Sequence, residues 1–187
     1  MTVEPIRDKK KVKQLYEYLL SDSDRNALLF KLGINTILRV SDLLKLKVSN
    51  IYTHTMKPRE HLCIREEKTG KLNKIKLHKE MLTLLKDYIS KWNLRYDDWL
   101  FFSYINPTRH IDRTVAWKIL KEAGKKCGLE SVGTHTMRKT RAYHVYQQTK
   151  DIHHVMELLN HQSPRFTMRY IGITQSQKDK TQKEIIL

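Results

Sequence analysis

The chain has 187 residues, and its 36 lysines and arginines outnumber its 20 aspartates and glutamates, which gives a formal net charge of +16. This length suits one domain with its own core, and a hydrophobic fraction of 40% excludes a chain that is disordered by composition. A surface this basic favours a polyanion such as nucleic acid, or less often an acidic membrane, although solvated lysines alone can also account for such a charge.

The two cysteines, Cys63 and Cys127, lie far apart and form no Cys-x-x-Cys pair. This argues for a reducing compartment and against a disulfide framework or a thiolate zinc site. Residues 1–11 contain no apolar stretch of the kind found in signal peptides, and no apolar run approaches the length of a transmembrane helix. The expected setting is therefore cytoplasmic, on nucleic acid and not in a membrane.

The first part of the chain predicts three helices. Asp8 caps the first, whose apolar residues fall on one face, and the second runs from about Arg25 to Ile34. Ser41 is the expected cap of a short third helix over Asp42 to Leu46. Arg39 then lies at a junction between two helices, where its side chain can be aimed into a cleft.

Strand-like segments follow these helices. A weak one covers Ser49 to Tyr52, a better one covers His61 to Glu66, and Asn73 to Leu77 alternates apolar residues with lysines. The segment from Lys68 to Lys71 has the composition of a hairpin turn between the last two strands. The sequence therefore predicts an antiparallel hairpin with a lysine-rich tip.

The rest of the chain returns to helical patterns, around a short apolar segment at Trp99 to Phe102 that we expect to be buried. Further helices are predicted at Glu80 to Trp92, Asp112 to Cys127 before Gly128, Thr134 (as cap) to about Tyr146, Ile152 to Leu159 capped by Asp151, and from Pro164 to a last turn that presents Tyr170. The predicted fold class is α+β, mainly α-helical with a small antiparallel β-sheet.

Six residues spread along this pattern have the chemistry needed to attack a phosphodiester without a metal: Arg39, Lys68, His135, Arg138, His161 and Tyr170. A tyrosine phenol can act as the nucleophile, and arginine forks match the shape of phosphate oxygens. A lysine can protonate a leaving alkoxide, and a histidine can shuttle a proton. On a helix, His135 and Arg138 are three residues apart and share a face.

The order and spacing of these residues resemble the catalytic domain of tyrosine recombinases, the phage-integrase family. The resemblance runs from about Glu4 to Ile173, and although each motif alone is weak, their order and spacing together are specific. The matching motifs are the Arg-x-Ser-Glu/Asp-like segment from Arg39 to Asp42, the hairpin lysine Lys68, the His-x-x-Arg pair His135 and Arg138, the Leu-Gly-His-like segment from Leu159 to His161, and the nucleophile position Tyr170.

The sequence departs from the family pattern at two points. Asn160 stands where glycine is common. Members also usually carry an N-terminal core-binding domain, which we expect to be absent because the first predicted helix already belongs to the catalytic domain.

The expected organisation is a catalytic domain over 1–173 and a tail over 174–187. In the family such a tail often docks on a neighbouring protomer, and its apolar end, 185–187, suits that docking or packing in cis.

The resemblance implies a role for each site residue. Tyr170 would form a 3′-phosphotyrosine link and release a 5′-hydroxyl, while the two arginines grip the non-bridging oxygens. Lys68 would protonate the 5′-oxygen, with Lys71 and Lys74 as alternative phosphate contacts. His135 would act as general base or acid, and His161 would hydrogen-bond the phosphate. The supporting residue Asp42 would orient Arg39 or His135, or serve only as a first-turn helix acid.

The resemblance also implies the partners: double-stranded DNA, further copies of the chain on synapsed sites, and in some systems accessory DNA-bending proteins. No cofactor or metal is expected. A metal site is disfavoured because no carboxylate or thiolate completes a ligand set with the candidate histidines. The histidines considered for a metal are His144, His153, His154 and His161. The positive side chains expected to add affinity for DNA without reading its sequence are Lys9, Lys10, Lys11, Lys121, Lys125, Lys126, Lys139 and Arg141.

The expected function is a site-specific recombinase (integrase) that integrates or excises a phage or mobile element. Three alternatives stay open: a type IB topoisomerase-like activity that shares the chemistry, a DNA-binding or directionality module that has lost catalysis, and a basic RNA-binding domain. The last is disfavoured because the sequence lacks an RNP-type aromatic motif.

Overall fold

A computed structural model describes residues 3–68 and 70–173, and within these ranges the chain forms eight α-helices and one two-stranded antiparallel sheet. The helices are α1 (Lys9–Asp22), α2 (Asp24–Thr36), α3 (Val40–Leu44), α4 (Lys79–Lys91), α5 (Arg113–Lys126), α6 (Thr136–Thr149), α7 (Ile152–Leu159) and α8 (Pro164–Tyr170). The strands are β1 (His61–Arg65) and β2 (Leu72–Lys76), with Cys63 opposite Lys74. The prediction of a mainly helical α+β fold is confirmed.

Helix-capping signals in the sequence locate several of these elements. The Asp8 carboxylate accepts a hydrogen bond from the Lys10 backbone N–H at 2.7 Å, and Asp151 caps α7 by accepting from two backbone N–H groups. Such caps satisfy amide groups that the first turn of a helix leaves unpaired. Gly128 follows α5 at φ 68°, a left-handed conformation that glycine adopts without strain.

Three local predictions are wrong. Ser41 caps nothing, because α3 already begins at Val40 with Arg39 as its N-cap residue. Thr134 likewise does not cap α6, because His135 is the N-cap residue of that helix. Residues 49–52 form no strand, because the Asn50 side chain accepts a hydrogen bond from the Lys47 backbone N–H at 2.8 Å and closes a short 3-10 turn, Val48–Asn50. A side chain that bonds its own local backbone competes in this way with strand pairing.

Helix α2 lies at the centre of the main core and packs against α1, α4 and α6. Gly33 permits the close approach of α6, since a Cβ at this position would lie within 2.4 Å of the Met137 sulfur. A second, smaller core joins α6, α7 and α8 through Ala142, Val155, Leu159 and Ile171. The fold thereby brings the helix carrying His135 and Arg138 between the Arg39 junction and the helix that ends at Tyr170.

None of the helices in the described part of the chain is long and apolar enough to cross a membrane.

Candidate active site

Arg39 is held at the junction between α2 and α3 by a carboxylate from the hairpin. Its Nη1 lies 2.5 Å from Oε2 of Glu66, and the Arg39 side chain is 22% exposed. Sequence reasoning missed Glu66, although a signal was present. Side chains alternate along a strand, so Leu62, Ile64 and Glu66 share one face, and the first of these is buried. That alternation points the carboxylate inward, towards Arg39.

Arg138 is buried in α6, and two of its hydrogen bonds go to main-chain oxygens. Its Nη1 donates to the Ile37 carbonyl at 2.5 Å and its Nη2 donates to the Leu159 carbonyl at 2.7 Å. Ile37 precedes α3 and Leu159 ends α7. The guanidinium therefore bridges two junctions, and its fork is fixed before any ligand is present.

Tyr170 and His161 face each other at the end of α8. Their ring centroids are 5.0 Å apart with the planes perpendicular, and His161 Nδ1 lies 3.1 Å from the Thr167 hydroxyl. Burial raises the pKa of Tyr170, while the charge and hydrogen-bonding contact of Arg138, and then the charge of Arg39, lower it. Burial first, and then the same two arginines, lower the pKa of His161 to about 4. His161 is therefore neutral at neutral pH.

His135 is the N-cap residue of α6 and stays exposed. Partial desolvation of the imidazole lowers its pKa, and the positive charges of Arg113, Arg138, Lys139 and Arg39 lower it further. The positive charges of Arg39 and Arg138 act on the other three residues, so five of the six predicted residues lie within electrostatic range of the two arginines: Arg39, His135, Arg138, His161 and Tyr170.

Lys68, the sixth predicted residue, is exposed in the turn between β1 and β2. The hairpin that carries it is attached to the rest of the fold at several places, one of them the ion pair between Arg39 and Glu66. The Asp42 carboxylate accepts a hydrogen bond from the Glu67 backbone N–H at 2.9 Å, and Lys71 Nζ lies 3.5 Å from the Asn160 side-chain oxygen. Asp42 lies in the first turn of α3, and its hydrogen bond links it to the hairpin; that it orients Arg39 or His135 stays a prediction.

Asn160, the C-cap residue of α7, has φ 56° and ψ 43°. This is the left-handed region, which glycine adopts without steric strain and asparagine adopts more readily than most other residues. The geometry thus accounts for an asparagine at this position.

The histidines considered for a metal are not gathered around one point. His144 Nε2 lies 3.0 Å from the Ile6 carbonyl, whereas His161 contacts Thr167. In the part of the chain that the structure describes, no group of three or more His, Cys, Asp or Glu side chains is arranged to hold a metal ion.

The apolar end predicted for the tail, 185–187, lies outside the described residues.

Curated relatives carry the same type of domain. A probable integrase/recombinase, YoeC of Bacillus subtilis, is 42% identical over 171 residues, covering 91% of this chain and 90% of that protein. Tyrosine recombinase XerA of Pyrococcus furiosus is 33% identical over 168 residues, covering 88% of this chain but 56% of that protein. The chain therefore spans nearly all of the first relative and about half the length of the second.

Solved structures show the same fold. The crystal structure of XerA recombinase matches with a TM-score of 0.75 at 21% identity, covering 100% of this chain and 66% of that one. A lambda integrase dimer bound to a COC′ core site matches with a TM-score of 0.69 at 20% identity, covering 93% of this chain and 50% of that one. The family model described as the phage integrase family matches residues 7–177. The chain accordingly belongs to the phage integrase family of tyrosine recombinases.

Proposed function

We propose that this chain is the catalytic domain of a site-specific DNA recombinase that cleaves and rejoins double-stranded DNA through a 3′-phosphotyrosine at Tyr170. The observation that carries the proposal is the position of Tyr170, whose ring lies 5.0 Å from the His161 ring and whose phenol is within hydrogen-bonding reach of Arg138, in a site where Arg39 adds a second positive charge. Two fixed cations beside a half-buried phenol suit the attack of that phenol on a phosphodiester.

In the first step the Tyr170 oxygen attacks the phosphorus, and the bond from phosphorus to the 5′-oxygen breaks. The phenol is neutral at pH 7, because burial keeps its pKa above the ordinary value of 10. Its proton must therefore leave as the new bond forms. His135 can accept that proton, since its lowered pKa keeps the imidazole unprotonated at neutral pH.

The arginines stabilise the negative charge that builds on the non-bridging oxygens. Arg138 is suited to this because its hydrogen bonds to the Ile37 and Leu159 carbonyls fix the guanidinium in advance. The ion pair with Glu66 likewise fixes the Arg39 guanidinium in advance. His161, neutral at neutral pH, would donate a hydrogen bond from its ring N–H to a phosphate oxygen.

Lys68 would give a proton to the departing 5′-oxygen. The exchange conserves the number of phosphodiester bonds, one to DNA being replaced by one to Tyr170. The free 5′-hydroxyl can then attack the phosphotyrosine and reverse the step, so no nucleotide cofactor is needed.

The proposed partners are duplex DNA and further copies of the chain. Among the matched structures, XerH is bound to a difH substrate in pre-cleavage and post-cleavage complexes, and lambda integrase forms a tetramer on a Holliday junction. By analogy, this chain would act as an oligomer on synapsed sites, in integration or excision of a phage or mobile element, with or without accessory DNA-bending proteins.

The test is the trapping of a covalent adduct. Wild-type protein, Tyr170→Phe and Tyr146→Phe are each mixed with a pool of nicked duplexes of randomised sequence, and products are separated on a denaturing gel. Tyr146 is the matched control because it packs against the same small core. We expect a protease-sensitive adduct with wild-type protein and with Tyr146→Phe, and none with Tyr170→Phe.

DNA that is bound by wild-type protein without any adduct would contradict the proposal and favour a binding module. An adduct accompanied by relaxation of supercoiled plasmid, with no strand exchange between two duplexes, would instead indicate the topoisomerase-like alternative.

A further inference from the structure

Residues 3–7, called here the N-terminal strap, lie against α6 and are hydrogen-bonded to it. The Ile6 backbone N–H donates to the Thr140 hydroxyl at 2.9 Å, and the Ile6 carbonyl lies 3.0 Å from His144 Nε2. The Glu4 backbone N–H donates to the Ser131 carbonyl at 3.2 Å. Ile6 is also buried in the main core, so the strap is anchored by a side chain as well as by its backbone.

The first of two connections between the strap and the end of α8 is made by Arg7. Its Nη2 donates to the Gly172 carbonyl at 2.9 Å, two residues after Tyr170. Gly172 has φ 73°, and a Cβ at this position would lie 3.0 Å from Arg7 Nη2 and 3.1 Å from Glu4 Oε2. The absence of a side chain at Gly172 therefore lets the strap close over the end of α8.

A second, independent connection passes through Lys139. Its ammonium donates to the Val3 carbonyl at 2.7 Å and lies 5.0 Å from the centroid of the Tyr170 ring. A cation at that distance from an aromatic ring is attracted to it. The strap carbonyl thus holds a positive charge against the ring of the proposed nucleophile.

We propose that the strap sets the position of Tyr170, with Arg7 and Lys139 as positioning residues that act through the end of α8 and through the phenol ring. The proposal rests on the proposed function, in which Tyr170 is the nucleophile. Attack on phosphorus requires the phenol oxygen within a narrow range of distance and direction. A strap anchored on the main core and attached to α8 at two points would maintain that alignment.

The competing interpretation is that both residues are ordinary phosphate contacts. The two interpretations differ in what a substitution changes. A lost phosphate contact weakens DNA binding and reduces the salt dependence of the dissociation constant. A lost positioning contact leaves both unchanged and slows the chemical step.

The experiment compares Arg7→Gln, Lys139→Met and Lys139→Arg with wild-type protein, and with Arg109→Gln as a control that removes an exposed positive charge outside the strap. At saturating protein we expect Arg7→Gln and Lys139→Met to form the covalent adduct roughly 10- to 100-fold more slowly. Dissociation constants and their salt slopes should match those of Arg109→Gln. Lys139→Arg keeps both the donor and the cation and should recover most of the rate.

Hydrogen exchange of the amides in α8 and at 171–173 provides a readout that does not depend on cleavage. We expect exchange to accelerate in Arg7→Gln and Lys139→Met but not in the control. A changed salt slope with an unchanged cleavage rate would overturn the proposal, as would unchanged exchange in both variants. If wild-type protein itself forms no adduct on bound DNA, the proposed function fails, and the exchange comparison alone decides whether the strap holds α8.

Discussion

Arg138 and Lys68 are both cations of the proposed site, but the protein holds them in opposite ways. Arg138 is 5% exposed and donates to two main-chain carbonyls, whereas Lys68 is exposed at the tip of a two-stranded hairpin. A hairpin of two strands is marginally stable by itself, and this one depends on anchors such as the bond from Glu67 to Asp42. The groups that would stabilise charge are thus fixed in advance, and the proton donor would be placed when DNA binds.

The largest effect that follows from this contrast concerns Lys68→Met. If Lys68 is the general acid, cleavage should slow by about 100- to 10,000-fold. Stability should change by less than about 0.5 kcal/mol, because the residue is exposed. A substrate with sulfur in place of the 5′-oxygen should restore the rate, since a thiolate leaves without a proton. Urea unfolding and single-turnover cleavage measure the two quantities.

Lys71→Met and Lys74→Met serve as controls from the same hairpin. Rescue by the sulfur substrate in either of these variants, rather than in Lys68→Met, would reassign the proton donor.

Arg138→Met should affect both properties. Cleavage should slow by roughly 100- to 1000-fold through loss of a preorganised donor. Stability should also fall by about 1–3 kcal/mol for each buried carbonyl left unpaired, in contrast to Lys68→Met. An unchanged urea midpoint would show that the bonds to the Ile37 and Leu159 carbonyls contribute nothing to folding.

The smallest effect is a pH dependence of stability through His161, whose folded pKa is about 4 against an ordinary 6.5. Below pH 6.5 the His161 imidazole is protonated in the unfolded chain but stays neutral in the folded chain. The contribution of His161 to stability is therefore complete above pH 6.5 and declines towards pH 4. Allowing for solvent around the ring, the decline should be about 1 kcal/mol, or roughly 2–4 °C in Tm.

His161→Gln removes this contribution, and its Tm should fall less than that of wild-type protein over the same pH interval. Parallel curves for the two proteins would contradict the lowered pKa. Comparison with the variant is needed because burial also lowers the pKa of His135 and His144.

Sequence reasoning succeeded where the signal was local. Asp8 and Asp151 mark helix starts because a capping carboxylate bonds amides two or three residues away. It failed where the partner is distant or belongs to the backbone. Glu66 meets Arg39 only after the hairpin folds over α3, and the sequence pattern does not identify the Ile37 carbonyl as the acceptor for Arg138. The six site residues themselves were found through the order of motifs, not through any one local pattern.

The two arginines of the site also differ in how they would respond to sequence divergence. A point mutation can delete the carboxylate of Glu66, so the orientation of Arg39 can be lost in one substitution unless position 39 changes with it. The acceptors of Arg138 are main-chain carbonyls, which every amino acid carries. Positions 37 and 159 can therefore drift among residues that keep the backbone path, and at position 37, with φ 57°, asparagine and glycine are compatible replacements. Substitutions at positions 37 and 159 therefore leave the acceptors of Arg138 in place. The ion pair of Arg39, in contrast, is kept only if positions 39 and 66 both keep their residue types.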